Sequence, residues 1–272
     1  MSQTDPVLLV ESRDRIRILR LNRPEALNAA NPELHRRLAD VWVELEEDPD
    51  CSVVVITGNG RAFCGGGDMT LLKRMNEDEE VRAAILHEAR QIVERLIRFR
   101  FPVIAAVNGP AVGLGCSLAG LSDVVLIEES AYLADPHVSV GLVAADGGAL
   151  TWPSMTSLLR AKEYLFTGDR ISAKDAVEFG LANRVVPDGS SLDEALSLAE
   201  RIARQPAQAL IDTKRALNKH LERSMHDILD FALAAESISS GSAPHRQIVD
   251  RFLQKAASAA PSATSAKATA SS

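Results

Sequence analysis

Residues 101–123, FPVIAAVNGPAVGLGCSLAGLSD, carry the decisive pattern. The apolar run 103–107 is short enough for a strand buried on both faces, and Asn108, Gly109 and Pro110 break it with a strong turn signal. A helix should follow. Gly113 and Gly115 fall where that helix would begin, so a ligand can approach the backbone closely and the first N–H groups point outward without partners. Free donors at such a position make a site for an anion or an oxyanion. Gly-rich strand-to-helix corners are also ordinary punctuation in α/β proteins, so this corner alone does not fix a function.

Outward from that stretch, strand and helix signals alternate. Residues 7–10 and 16–21 read as strands joined by a hairpin over the polar residues 11–14, and 22–29 form the loop that ends the second strand. Over 32–47 the residues Leu34, Leu38, Val41, Trp42 and Leu45 recur at helical spacing, with Asn31 as cap and Pro32 in the first turn. The β-branched run 53–57 is a buried strand, followed by Phe63, Cys64, the three glycines 65–67 and Asp68. Three consecutive glycines leave the backbone bare, which makes a second corner able to offer free N–H groups. Residues 69–98 are mostly helical, with Ile85, Ala89, Ile92, Val93 and Leu96 on one face.

Beyond the central stretch, 124–127 and 131–134 read as strands. The segment 141–148, GLVAADGG, reads as a loop with room for a ligand and with Asp146 as its only charge. Helical patterns recur in 150–167 and 172–179, and 180–186 ends in a short strand. From residue 191 the pattern is all helical, over 192–203, 206–222 and 225–237. The expected organisation is an α/β core over 1–190, a helical segment over 191–255, and an Ala/Ser/Thr-rich tail over 256–272 too poor in apolar residues to fold.

Composition limits what such a chain can be. Its 272 residues, 46% of them hydrophobic, suffice for a sizeable core. A formal net charge of -7, with no basic stripe of interleaved aromatics, argues against a nucleic-acid surface. Cys51, Cys64 and Cys116 form no paired metal motif and are odd in number, which points to a reducing compartment rather than a disulfide framework. No run approaches the roughly 20 apolar residues of a spanning helix, and the N-terminus lacks a charged region before an apolar one. The expectation is a cytoplasmic protein without membrane association.

With both glycine corners in hand, the chain resembles the crotonase, or enoyl-CoA hydratase/isomerase, superfamily. The resemblance rests on RPEALNA at 23–29, FCGGGD at 63–68, AVNGPAVGLGC at 106–116, Ser122-Asp123, Asp135-Pro136, Gly147-Gly148 and Thr167-Gly168-Asp169, with Ala173, Ala176, Gly180, Leu181 and Val185. These pieces run in the family's order over about residues 7 to 255. The resemblance implies an α/β fold, a spiral of ββα units with a helical C-terminal trimerisation segment, and a homotrimer or dimer of trimers. It further implies an acyl-CoA thioester as substrate, as in fatty acid metabolism, with coenzyme A entering as part of the substrate and no other cofactor or metal. Carried over by position, the two backbone N–H groups that hold the thioester oxygen belong to Gly67 and Leu114. Two preorganised donors in a dry pocket are typically worth several kcal/mol of barrier to an enolate. Coenzyme A would lie along Ala26, Leu27, Cys64, Gly65, Gly66 and Asp68. Where many relatives carry a lysine two residues after the aspartate, this chain has Thr70, so Lys73 or Lys255 is left to meet the phosphates.

The chain also departs from its relatives. A hydratase of this family uses two glutamates, and the matching positions here hold Ser117 and His137. Two carboxylates let one site activate a water and protonate a carbon, so ordinary hydration is in doubt. What remains for acid/base work is Asp146, in the loop where some superfamily members keep a catalytic aspartate, with His137 as its partner and Ser117 nearby. Flanked by Val143, Ala144, Ala145 and two glycines, Asp146 should sit in a poorly solvated pocket. A neutral imidazole suits proton transfer near neutrality, and a carboxylate beside it would orient or charge it. Serine-hydrolase and dinucleotide-binding readings fail: Ser117 lies ten residues past Val107, and Leu118 occupies the third glycine position of the dinucleotide fingerprint. A CoA-thioester binder without turnover remains the alternative, beside a hydrolase or C–C bond-cleaving member of the superfamily.

Overall fold

The computed structural model of the protein describes residues 6–259. β1 (Leu8–Arg13) and β2 (Ile16–Leu21) pair antiparallel from Leu8 opposite Leu21 to Arg13 opposite Ile16. The polar stretch expected to be all turn is mostly strand, and the reversal itself is tight, with Asp14 at φ 51°. β3 (Val53–Gly58), β4 (Val103–Val107), β6 (Val124–Glu128) and β9 (Arg184–Val186) continue the sheet in parallel, giving the order β1-β2-β3-β4-β6-β9. A smaller sheet runs β5-β7-β8, from β5 (Ala111–Val112), β7 (Tyr132–Ala134) and β8 (Ile171–Ser172).

The strands β3 and β4 read as unbroken apolar runs because both faces of the large sheet are covered. On one face, α1 (Pro32–Glu47) and α3 (Glu79–Arg98) bury Leu34, Leu38, Trp42, Ile92 and Leu96 against residues that include Val54, Ile56 and Ala105. On the other, α8 (Ser191–Ala203) buries Ala195, Leu196 and Ala199 against Val53, Val55, Ile104 and Leu126. The expected boundary at 190 is therefore misplaced: α8 belongs to the α/β core, because without it one face of a parallel sheet would meet water.

The two central turns of the spiral each send one strand to each sheet. β4 and β5 lead into α4 (Leu114–Leu121), and β6 and β7 lead into α5 (Gly148–Met155). The segment 69–98 is two helices, α2 (Met69–Glu77) and α3, separated at Asp78, whose side chain caps α3. After α6 (Leu158–Thr167), Ser172 caps α7 (Ala173–Phe179).

The C-terminal helices differ most from expectation. Instead of two helices over 206–237, α9 (Ala207–Ser240) is continuous, about 51 Å at 1.5 Å per residue. A further helix, α10 (Ala243–Ala259), follows and takes in residues 256–259 of the supposed tail; the rest of that tail lies outside the described residues. Lys214 anchors α9, its ammonium 2.7 Å from both the Phe101 carbonyl and Asp123 Oδ2. Asn218 donates to the Ile97 carbonyl at 2.7 Å. α10 lies on α2, where Asn76 donates to the Ser240 carbonyl and accepts from Arg246, both at 2.6 Å. Among the described residues no helix is long and apolar enough to cross a membrane.

Candidate active site

The two glycine corners meet. Ala30 donates to the Gly66 carbonyl at 2.7 Å and accepts from the Asp68 N–H at 3.1 Å, so it bonds the residues on either side of Gly67. In such a parallel bridge the middle residue turns its own N–H the other way. Beside it, Cys64 donates to the Pro110 carbonyl and accepts from Val112, which fastens the first corner to β5. Gly113 (φ 51°) then turns the chain into α4, and a side chain at Gly115 would collide with the Cys64 carbonyl. Leu114 is the first residue of α4 and so has no intrahelical acceptor for its N–H. Neither the Gly67 nor the Leu114 N–H has a partner among the described residues. Both residues line one cavity of about 790 Å³, part of it open to solvent.

Besides His35 of α1, four ionisable side chains, Asp135, His137, Asp146 and Glu236, gather at that cavity from three segments. β7 ends at Ala134, which places Asp135 at 1% exposure. His137 follows, capping a 3-10 turn over Val138–Val140 rather than lying on a strand. Its Nδ1 is bonded to Asp135 Oδ1, and its Nε2 lies 3.7 Å from Asp146 Oδ1. Burial alone would lower the His137 pKa, but the charges of Asp135 and Asp146, the Asp135 hydrogen bond and the charge of Glu236 outweigh it and hold the pKa well above 6.5. The two flanking carboxylates thus favour the charged imidazole over the neutral base that its ordinary pKa suggested. Asp146 Oδ1 also accepts from Ser117 Oγ at 2.8 Å. Ser117, in the first turn of α4, thus braces Asp146. The 141–148 loop is held in place by Ser239 of α9, whose Oγ accepts from the Val143 N–H at 3.2 Å.

Gly148 explains how Asp135 fits. A Cβ at that position would collide with Asp135 Oδ2, so only glycine lets the start of α5 close over the carboxyl group.

Sequence reasoning missed two residues that line the cavity. Glu236 arrives from α9, 6% exposed, and its pKa is raised to about 8 by burial and by Asp146 and Asp135, against the opposing charge of His137. His35 comes from α1, its Nδ1 2.8 Å from Glu88 Oε2. No motif signals either: Glu236 sits in a helix that reads as an appendix, and His35 is one polar residue beside an apolar stripe.

The residues expected to meet coenzyme A separate into two groups. Gly65 and Gly66 line the cavity, and Leu27, in the turn after Ala26, accepts from the Gly65 N–H at 2.8 Å. Ala26 and Leu27 are partly exposed. Cys64 is fully buried, its thiol on the Asn28 carbonyl and both its backbone groups engaged, so it supports the corner and presents nothing to a ligand. Burial pushes that thiol up to about 12. Asp68 caps α2 through the Thr70 N–H at 2.9 Å and pairs with Arg23 at 3.3 Å, which makes it a brace. Lys73 pairs with Asp250 at 3.2 Å, while Lys255 is exposed on α10 and does not line the cavity. Away from the charged cluster the walls are apolar, with Leu71, Leu72, Met75, Ile85 and Leu86 among them. Among the described residues no three His, Cys, Asp or Glu side chains are placed to hold a metal ion.

Comparison with known proteins agrees with this architecture. A family described as enoyl-CoA hydratase/isomerase matches residues 11–257. The crystal structure of an enoyl-CoA hydratase/isomerase from Mycobacterium paratuberculosis superposes with a TM-score of 0.89 at 53% identity, covering 92% of this chain and 99% of that one. The 2,3-dehydroadipyl-CoA hydratase of Escherichia coli K12 is 34% identical over 249 residues, 91% of this chain and 96% of its own. The 1,2-epoxyphenylacetyl-CoA isomerase of the same organism is 34% identical over 242 residues, 87% and 91%. The fold is that of the crotonase superfamily. The chain belongs to the enoyl-CoA hydratase/isomerase family.

Proposed function

We propose that the protein acts on acyl-CoA thioesters, holding the thioester carbonyl between the Gly67 and Leu114 N–H groups and moving a proton with Asp146. The observation that carries this reading is the facing arrangement of one cavity: two unpartnered backbone donors on one side, and a serine-oriented carboxylate beside a buried imidazolium on the other. Charge that develops on the thioester oxygen as an enolate forms would meet donors that need no reorganisation. Asp146, placed by Ser117, takes a proton from the α-carbon or from a water. His137, kept cationic by Asp135, steadies the negative charge that passes through the cluster.

The coenzyme A portion runs along Ala26, Leu27, Gly65 and Gly66 toward the surface, where Lys255 is free to meet a phosphate. The acyl chain lies against Leu71, Leu72, Met75, Ile85 and Leu86, a wall suited to an apolar group. The protein assembles as a homotrimer or a dimer of trimers in the cytoplasm and needs no metal and no cofactor beyond the coenzyme A of its substrate.

The names of the relatives frame the assay: a panel of 2-enoyl-, 3-enoyl- and 3-oxoacyl-CoA thioesters, followed under single-turnover conditions, distinguishes addition of water, a double-bond shift and hydrolytic cleavage. Calorimetry on the same panel should find thioesters bound and the free acids not. Equal affinity for acid and thioester removes the assignment. Binding without turnover across the panel leaves the alternative reading, a CoA-thioester binder.

A further inference from the structure

We propose that Glu236, carried into the cavity by α9, is a second catalytic acid that delivers the proton Asp146 does not, so that the pair of carboxyl groups needed for acid/base chemistry comes from a loop and from the C-terminal helix. The proposal rests on the acyl-CoA reading above and deepens it.

Glu236 is 6% exposed, lines the same cavity as Gly67, Leu114, His137 and Asp146, and has one carboxyl oxygen, Oε2, sealed from solvent with no hydrogen-bond partner. Its carboxyl group makes no hydrogen bond to any described residue. A buried carboxylate without a donor is far costlier than a buried carboxylic acid, so the group holds its proton. The charges that face it say the same. Asp135 and Asp146 oppose its ionisation, and His137 is the one cation in the cluster. On the neighbouring helices, Arg246 of α10 holds Asn76 and Arg82 of α3 holds the Met75 carbonyl, while His245 of α10 holds the Val140 carbonyl through Nδ1 and keeps a buried, unpartnered Nε2, burial favouring its neutral form. A protonated glutamic acid thus stands in a cavity whose other carboxyl side chain facing the ligand, Asp146, already accepts from Ser117.

The division of labour follows. Asp146 takes a proton, from water or from the acyl group. The Glu236 O–H bond then breaks toward carbon: its proton forms the new C–H bond with the electron pair of the enolate, the O–H pair stays on Glu236, and the new carboxylate is made beside the His137 imidazolium. After product leaves, Asp146 gives its proton to solvent and Glu236 takes one back, so nothing is consumed but the substrate. The positions that hold glutamates in a two-glutamate hydratase are Ser117 and His137 here. In this protein they have become the residues that orient and charge-balance a rebuilt pair, Asp146 and Glu236.

The test uses the intact protein and the conservative variant Glu236→Gln. Infrared titration of the wild type should find a protonated carboxyl band at pH 7 that disappears toward pH 9 and is missing in Glu236→Gln. With the best thioester of the panel, Glu236→Gln should bind within about threefold of wild type while kcat falls about 10²-fold, as loss of a general acid does. The wild-type fall in kcat above about pH 8 should vanish in the variant. Absence of the band at pH 7, or an unchanged kcat and pH profile in Glu236→Gln, overturns the proposal. If no thioester binds the wild type, the acyl-CoA reading fails by itself, and the infrared result still decides whether Glu236 holds its proton.

Discussion

The two walls of the cavity are built on different principles. One is backbone: Gly65, Gly66, Gly67, Gly113 and Leu114, locked by bonds to Leu27, Ala30 and Ala134. The other is side chain: Asp135, His137, Asp146 and Glu236, drawn from a strand end, a glycine-rich loop and a helix ninety residues further on. The backbone wall offers one kind of group, an N–H that can donate to an oxygen. The side-chain wall depends on residue identity, and this chain has Ser117 and His137 at the positions where the family resemblance implies two glutamates. The structure thus separates a set of donors fixed by the backbone from a set of charges that substitution can change.

The sharpest break of that comparison is to remove a backbone donor. Leu114→Pro deletes one N–H at the first position of α4, where a helix tolerates proline because that N–H has no intrahelical partner. We expect kcat to fall by about 10²–10³, the typical effect of losing one oxyanion donor, while circular dichroism reports a folded protein. Turnover within tenfold of wild type in the folded variant would mean that the thioester oxygen is held elsewhere.

Next in size, Asp146→Asn keeps the shape of the loop and its contact with Ser117 but removes the base. Thioester binding should stay within about threefold and turnover should drop by about 10²-fold. Full turnover in this variant would reduce Asp146 to a structural cap and move the chemistry away from this loop.

How legible this was in the sequence follows the same division. Gly65 to Gly67 and Gly113 to Gly115 announce themselves because residues without side chains interrupt strong strand and helix patterns, and positional carry-over then singles out Gly67 and Leu114. Asp146 was readable as the only charge in a loop of small residues. Glu236 was not, since helical spacing on α9 says which face is buried but not what lies beneath it, and a buried glutamate in an apparent appendix looks like a surface residue. The boundary at 190 and the break in α9 failed for a related reason. Composition shifts where helices begin, but only the three-dimensional sheet shows that α8 covers its open face, and only the anchor of Lys214 to Phe101 and Asp123 shows how α9 returns over the core. The same return carries Asn76 of α2 onto the end of α9 and fixes the distal edge of the cavity.

A smaller effect is expected at His137, together with a pH signature. His137→Gln should lower kcat by about tenfold, since the imidazolium steadies charge but does not itself transfer the proton. In the wild type the folded state favours the charged imidazole. Its contribution to stability is complete below about pH 6.5, the ordinary histidine value, and is lost as pH rises through the raised folded value. Thermal denaturation from pH 6 to pH 9 should therefore decline more steeply for the wild type than for His137→Gln. Glu236, with a folded pKa of about 8 against 4.5, works in the same direction, its contribution present below about 4.5 and lost by about 8. Equal slopes in wild type and His137→Gln would show that Asp135 does not hold a proton on the ring.

The smallest expected effect tests the one residue that belongs to both walls. Ser117 is part of α4, whose first N–H is unpartnered at the cavity, yet its hydroxyl reaches across to Asp146 Oδ1 at 2.8 Å, with a second contact to the Gly113 carbonyl at 3.3 Å. Ser117→Ala fits the space, because the neighbouring Gly147 already packs against the Ser117 Cβ and nothing larger is introduced. One hydrogen bond to a charged acceptor is worth roughly 1.5 kcal/mol, so kcat should fall by about tenfold or less if Ser117 only orients Asp146. The cycle with Asp146→Asn separates orientation from any independent contribution: once the carboxylate is gone, adding Ser117→Ala should change kcat by less than about twofold. Additive losses in the double variant would mean that Ser117 touches the substrate directly, and the helix that supplies the backbone wall would then be supplying chemistry to the other wall as well.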